Sequence, residues 1–447
     1  MLIKGTYKEI WQISFPIIVG SFAHSINQII DAAFLGNYSK ISLDAITLAG
    51  IFFFNITFIA GGFARGCQVI IARHVGEQRE DKIGVAFDNL CLIGVFLSIA
   101  MMLFLYYCTD WIVLNAISSK LIQIEANIYI KVLILIVPFA VFSFCFNGFF
   151  AGLGKTKIIT YATISMAITN IILGYILIFG KFGFDRMGIL GAAISTAIAD
   201  IVMFLVYFFY FINQKYTSKY NAFKFHSLSL KTMKNIINLS MPIVLQNLIG
   251  ITSWQYFFLS VEKLGEDELA VSGILKTLFI FLGIPVWSIS STSNTMISNL
   301  IGQNKIELVL PTLKKIIFFT VSISLGLNLI ILLFPSFTIG LFTNDKLLLQ
   351  ASIAPFYTLM LGLLFFSSAM IMNQGIIGTG NTKIPAIVEL LCAILYIGYC
   401  YYFIQTKKCE LYIAWGCEVV YWLSLLIFTV TYWSSGIWKK YIKTVDN

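Results

Sequence analysis

Charge is scarce in this chain. Asp, Glu, Lys and Arg make up 11% of its 447 residues, against roughly a quarter in soluble domains, and the mean hydropathy is +0.88. That shortage excludes a soluble globular protein and points to an integral membrane protein. Paired cysteine motifs are absent as well. The eight cysteines, at 67, 91, 108, 145, 392, 400, 409 and 417, lie mostly within apolar runs with no CxxC among them. They read as small membrane hydrophobes, not as a disulfide or zinc framework. No block of basic residues resembles a nucleic-acid patch, although the formal charge is +9. D-x-D and H-x4-D pairs are lacking, which weighs against a membrane-embedded transferase, and the chain reads as not an enzyme. Gly152-Leu153-Gly154-Lys155-Thr156 is the one stretch near a P-loop, but Phe149 stands where that loop needs glycine and no soluble strand precedes it. With no ATP-binding domain and no cofactor expected, transport must be gradient-driven or passive.

Long apolar runs are what the chain has in plenty. Separated by short polar breaks, they predict an all-α membrane protein of about 12 spanning helices. The spans fall near 10–36, 45–73, 83–107, 124–152, 157–181, 187–213, 231–261, 268–301, 308–334, 348–378, 384–405 and 410–433. The first run is longer than a signal h-region and no cleavage site follows it, so it reads as an uncleaved span. The longest polar break, Gln214 to Leu230, lies at the midpoint. It divides the chain into a six-helix lobe 1–213, a linker loop 214–230 and a six-helix lobe 231–447.

Lysine and arginine orient the bundle. Segments on the side of the N-terminus, from Lys4 and Lys8 through Lys219 to Lys439, Lys440 and Lys443, hold about 19 basic residues against about 8 opposite. Both termini and the linker are therefore expected in the cytoplasm, in a multi-pass protein of the cell (inner) membrane. Arg65, Lys131 and Lys276 remain inside spans.

The halves repeat. Asn147-Gly148-Phe149-Phe150-Ala151-Gly152-Leu153-Gly154-Lys155-Thr156-Lys157-Ile158 and Asn373-Gln374-Gly375-Ile376-Ile377-Gly378-Thr379-Gly380-Asn381-Thr382-Lys383-Ile384 share N-x4-G-x-G-x-T-K-I. The same offset carries Ser14-Phe15-Pro16 onto Ser240-Met241-Pro242, and Gly76 onto Gly302. Three separated matches in one register argue for duplication. An even number of spans per half makes the repeats parallel and puts the substrate path between them.

These motifs resemble the multidrug and toxic compound extrusion (MATE) family, over essentially the whole chain. Further matches are Ile30-Asp31-Ala32-Ala33-Phe34-Leu35-Gly36, similar to its V-D-x-x-x-x-G, and Gly191-Ala192-Ala193-Ile194-Ser195-Thr196, similar to its G-A-A-x-A-T. The resemblance implies two pseudo-symmetric six-helix lobes exporting drugs or metabolites in exchange for Na⁺ or H⁺. One branch of the family carries a second aspartate on helix 5. Here Asn170 is kept, but Gly174 stands in place of the acid. Another branch places acids on helices 7 and 10, and neither Pro242–Gln255 nor Ala354–Ile377 holds one.

Asp31 is a carboxylate inside a membrane helix, a costly placement that marks a pathway facing a bundle interior or cavity. Asn170 and Thr196 are the family-matched polar positions that complete a cation-coupling site with it, and Na⁺ at Asp31 is the one metal reading left open. Asp200, at i+4 from Thr196 and on its face, is read as supplying the carboxylate missing at Gly174. The bland alternative is a cavity-lining or lysine-paired acid. Glu389 reads as an inner-mouth ion pair near Lys383, or a cation or substrate contact of the second lobe. Arg65 and Lys276 read as partners of intramembrane acids, or as contacts for an anionic substrate. His24 reads as a hydrogen-bonded structural histidine. The whole points to a secondary transporter, expected to be a monomer in the bilayer, exporting cationic or amphiphilic small organic compounds and binding no nucleic acid. A lipid-linked oligosaccharide flippase of the same superfamily is the alternative; it would want a cationic groove, and only Arg65 and Lys276 are available inside.

Overall fold

The protein is described here by a computed structural model covering residues 2–224 and 228–442, with the side chains of Lys440 and Tyr441 left aside. Lys443, the side chain of Lys440 and linker positions 225–227 lie outside the described residues. The described chain is helical throughout: α1 (Tyr7–Tyr38), α2 (Lys40–Gly76), α3 (Glu80–Ala116), α4 (Lys120–Ile134), α5 (Val137–Gly152), α6 (Lys157–Phe179), α7 (Ile189–Asn213), α8 (Tyr216–Lys219), α9 (Leu230–Val261), α10 (Glu266–Gly302), α11 (Val309–Leu333), α12 (Pro335–Gly340), α13 (Lys346–Gly378), α14 (Lys383–Tyr399), α15 (Leu411–Ala414) and α16 (Gly416–Ser434). Among the described residues eleven spans are long and apolar enough to cross a membrane, and α4 with α5 makes a twelfth, bent by 59°. The bend has a local cause. Pro138 sits at the start of α5, where its ring and missing N–H disfavour a helix running through from α4. In the second half the matching span, α13, runs unbroken for 33 residues. The helices outrun the sequence-based spans because several, such as the 37-residue α2, α3 and α10, extend about 55 Å, well past a core of about 30 Å.

Packing divides the chain into two compact units, 19–240 and 1–18 with 241–447. The sequence bounds its lobes at the linker; grouping by packing draws the line inside α1 and α9, two residues from Pro16 and Pro242. A proline removes one ladder hydrogen bond and loosens the helix around it, so the two parts of each helix can follow different partners.

The unit 19–240 is built around Leu35, Tyr129, Ile130, Leu133, Val141, Ile178 and Ala193, all buried. Its linker is not a free loop. Asp88 and Asn89 of α3 accept hydrogen bonds from the backbone N–H of Phe223 (2.7 Å) and Ser229 (3.1 Å). Tyr216 and Tyr220 pack on Phe149, and Lys155 donates to the Tyr216 hydroxyl at 2.7 Å. The other unit packs around Phe257, Leu275, Phe356, Phe366 and Trp415. The start of the chain is tied into it. Ile3 N–H donates to Asn299 at 3.1 Å, and the Gln303 amide donates to the Ile3 carbonyl at 2.8 Å. Thr6 and Glu9 then form a reciprocal capping box that starts α1.

The repeated motif does the same two jobs twice. A Cβ on Gly152 would lie 3.0 Å from the Gln68 carbonyl oxygen, and one on Gly378 would lie 2.7 Å from the Asn294 carbonyl oxygen, so each first glycine lets two helices touch. Gly154 and Gly380 have φ of +70° and +88°, a left-handed turn that glycine adopts at no steric cost. The tight-turn reading of the motif is what the backbone shows.

Candidate cation site and membrane charges

The second half of α1 presents one buried stripe, Asn27, Asp31 and Leu35, spaced by four residues and so stacked on one face. Leu35 is fully buried in the core of the 19–240 unit, which turns the stripe inward. Asp31, 9% exposed, interacts with the side chain of Asn170 on α6. Asn170 in turn donates through Nδ2 to the Thr196 hydroxyl on α7 at 3.2 Å. Tyr129 of α4 reaches the Thr196 hydroxyl and lies within electrostatic range of both Asp31 and Asp200. The structure thus brings Asp31, Asn170 and Thr196 together. Asp200 is within range of Tyr129 but makes no hydrogen bond to the other three among the described residues. Tyr129 belongs to this cluster, and Asn27 lies one turn before Asp31 on the same face of α1; neither was singled out from the sequence. The signal for Asn27 was available, a polar residue one turn before Asp31 in an otherwise apolar run.

Where the family's acid would stand, a Cβ on Gly174 would lie 3.6 Å from the Phe34 ring and 3.6 Å from the Ser195 hydroxyl. Phe34 meets Phe179 edge-on and Tyr175 at a tilt beside it. An aromatic ring therefore occupies the ground next to the missing carboxylate.

The buried oxygens answer what the cluster can hold. Oδ1 of Asp31, Oδ1 of Asn170 and Oδ1 of Asn27 are fully buried with no hydrogen-bond partner. A carboxylate and neutral oxygens fit a hard cation or a proton and offer nothing to a soft metal.

The second unit differs from expectation. Glu389, 4% exposed, makes no ion pair with Lys383. It accepts a hydrogen bond from the Tyr421 hydroxyl and, at 3.5 Å, one from the Gln246 amide. The inner-mouth ion pair is therefore corrected: the side chain of Glu389 turns into the helix packing, in space that Gly250 leaves free. Glu418, 3% exposed, escaped the sequence reading. It is the lone acid in the apolar run of α16, and it accepts from the Tyr396 hydroxyl (2.9 Å) and the Trp422 indole (3.0 Å). Trp254 also donates to it.

Among the described residues neither Arg65 nor Lys276 pairs with an acid, which corrects the charge-pairing reading. Arg65 lies 5.3 Å from the Phe58 ring centroid, and Lys276 lies 5.4 Å from that of Trp254 and 5.1 Å from that of Phe258. Aromatic faces attract a cation that a membrane would otherwise leave unpaired. Lys131 lies in α4, the first part of the bent span. It is well exposed and pairs with Asp110 at 3.3 Å.

A family model described as MatE matches residues 16–176 and again 242–402. The chain belongs to the MatE family. The two matches are offset by the 226 residues that separate the repeated motifs. By that offset Asn170 of the first MatE repeat corresponds to Tyr396 of the second, and Asp31 to Phe257. Both repeats thus place a polar contact at the same point, Asn170 against Asp31 and Tyr396 against Glu418. Among relatives, the chain is 26% identical over 374 residues to a probable multidrug resistance protein NorM of Photorhabdus laumondii, covering 83% of this chain and 81% of that protein. It is 24% identical to a protein of the same description from Thermotoga maritima, covering 86% and 82%. In fold it matches the outward-facing conformation of a multidrug resistance MATE family transporter, with a TM-score of 0.88 and 20% identity over 98% of this chain and 97% of that one. The chain is accordingly a MATE-type, multi-pass membrane transport protein.

Proposed function

We propose that this protein exports small organic compounds, cationic or amphiphilic, from the cytoplasm in exchange for an inward-moving Na⁺ or H⁺, with both termini cytoplasmic. The relatives named for multidrug resistance support the substrate class. The observation that carries the exchange is Asp31, a carboxylate buried within a membrane helix with one oxygen unpaired and no basic partner. An isolated charge there is expensive, so the state that crosses the membrane holds a proton or a cation on it. Asn170 and Thr196 fix the acceptor geometry beside Asp31, and Asp200 contributes negative potential from one turn away. Binding the ion changes the local charge, and exchange follows because ion and drug favour different states of the carrier.

The flippase reading is not favoured. Arg65 and Lys276 are each held over aromatic rings, and the relatives named for multidrug resistance favour drug export instead.

The test is drug uptake into inverted membrane vesicles, with outward Na⁺ and H⁺ gradients imposed one at a time. Accumulation driven by either gradient and lost with it supports exchange. Accumulation that ignores both would overturn it.

A further inference from the structure

Arg65 carries a charge that it cannot shed. Arginine stays protonated at any biological pH, so it cannot neutralise itself as a buried lysine or carboxyl group can. Along α2 every residue from Ala60 to His74 is buried except Arg65, which is partly exposed. Its neighbour Gly66 lies against Ser240 of α9, a level about 15 Å along that helix from its start at Leu230. Among the described residues no acid pairs with the guanidinium. Asp88 and Asp110 of α3, which packs on α2, are met by the Phe223 N–H and by Lys131. The Phe58 ring lies 5.3 Å from it, but a ring face recovers only part of what a bare charge costs in hydrocarbon. Open and unpaired at this level, the guanidinium faces a watery space where an anion can reach it.

Its surroundings are aromatic. Phe54, Phe58, Gly61 and Arg65 follow at steps of four, three and four residues, along one face of α2. Phe54 and Phe58 stack with centroids 5.1 Å apart. Gly61 puts no side chain between Phe58 and the guanidinium. A Cβ there would lie 3.3 Å from the Phe144 ring of α5 and 3.6 Å from the Phe58 ring. Flat rings thus border a charged fork, and Phe54, Phe58, Phe144 and Arg65 are all left partly open.

We propose that Arg65 docks an anionic group of the exported amphiphiles, and that the site takes planar aromatic carboxylates. The proposal rests on the reading that this chain exports amphiphilic organic compounds. The guanidinium offers N–H donors in a planar fork that matches a carboxylate bidentately. Phe58 and Phe54 supply the flat apolar surface on which an aromatic body can lie. Docking turns two charges into a neutral pair, so the carboxylate enters the membrane at lower cost than it would alone. Lys276 lacks this geometry: its ammonium lies over Trp254 and Phe258 as a point charge without a fork. A phospholipid phosphate shares the anionic chemistry, but it brings no flat ring for the aromatic face.

The experiment is equilibrium binding of 2-naphthoate, and of 2-naphthamide as its neutral counterpart of the same shape, to the purified full-length protein in phosphatidylcholine nanodiscs. The native protein should hold naphthoate at least about tenfold more tightly than the amide, as expected for hydrogen bonds to a charged group. Arg65→Gln should bind the two probes equally. Arg65→Lys keeps the charge and loses the fork, so it should retain only part of the preference; it also serves if Arg65→Gln fails to fold. Phe58→Leu should weaken both probes by a similar factor, and Lys276→Gln should keep the native preference. Equal binding of the probes by the native protein overturns the proposal, as does an unchanged preference in both Arg65 variants. With salt screening the disc surface, adding phosphatidylglycerol should leave naphthoate affinity unchanged. A tenfold fall there would give the site to a lipid phosphate and overturn the aromatic assignment. If imposed gradients drive export of a cationic dye but naphthoate is not preferred, the docking site fails and the exchange reading stands. If naphthoate is preferred and no gradient drives export of any probe, the exchange reading fails and the docking site stands.

Discussion

At the scale of single residues, the site and its surroundings separate by what each polar group lacks. Asp31 lacks a counter-charge, whereas Glu389 and Glu418 are met by neutral donors. Asp31→Asn keeps the shape and removes the charge, so gradient-driven drug export per folded transporter should drop to the level of empty vesicles, with the melting temperature held or raised. Asp200→Asn should weaken coupling without loss of yield, because Asp200 is tied to no basic residue that its removal would strand. Reduced yield with native coupling would remove Asp200 from the site. Tyr421→Phe strips Glu389 of its hydroxyl donor, and the loss should be about 1–3 kcal/mol of stability. Thermal melting beside Tyr106→Phe, an exposed tyrosine, measures it; equal melting of the two variants would mean the Tyr421 hydroxyl contributes nothing. Asp31, Asn170 and Thr196 were legible in the sequence because charge and amides stand out in apolar runs and sit in family motifs. The partners of Arg65 and Lys276 were not legible. With 40 phenylalanines and eight tryptophans in the chain, spacing alone does not tell which ring a cation will lie against.

At the scale of elements, the doubled glycine motif is structural. Gly154→Ala and Gly380→Ala each force a Cβ into a left-handed turn, which costs about 1–2 kcal/mol. Both should lower the melting temperature by similar amounts, while Gly326→Ala, where a Cβ would meet nothing within 4 Å, should not. A marked loss on Gly326→Ala with none at Gly154 would reverse the assignment. The element count was readable from hydropathy because every apolar run exceeds the thickness of the bilayer core. The broken fourth span was harder. Hydropathy continues smoothly through Leu135 and Ile136, and the break is signalled only by Pro138, a residue that α1, α9, α10 and α13 carry inside continuous helices. Context, here the neighbours able to satisfy the freed carbonyls, decides between a tolerated proline and a corner.

At the scale of the whole molecule, the proposed orientation rests on the basic residues expected on the side of the termini. A cysteine placed at Lys219 should resist an impermeant thiol reagent in intact cells and react in inverted vesicles; labelling in intact cells would reverse the topology. The substitution itself is safe, because the Lys219–Glu80 pair at 3.3 Å is exposed and worth under about 1 kcal/mol. The duplication was visible as three matches in one register, but the assignment of helix ends to units was not, since hydropathy does not record which neighbour a helix face meets. That assignment has a consequence for a severed gene. Cut within 214–230, the N-terminal fragment carries residues 1–18, whose packing partners lie in the other fragment, and the C-terminal fragment carries the 231–240 stretch, whose partners lie in the first. Neither fragment then encodes a complete folding unit. Co-expressed, the two should rescue one another as obligate complements, whereas each alone should be degraded.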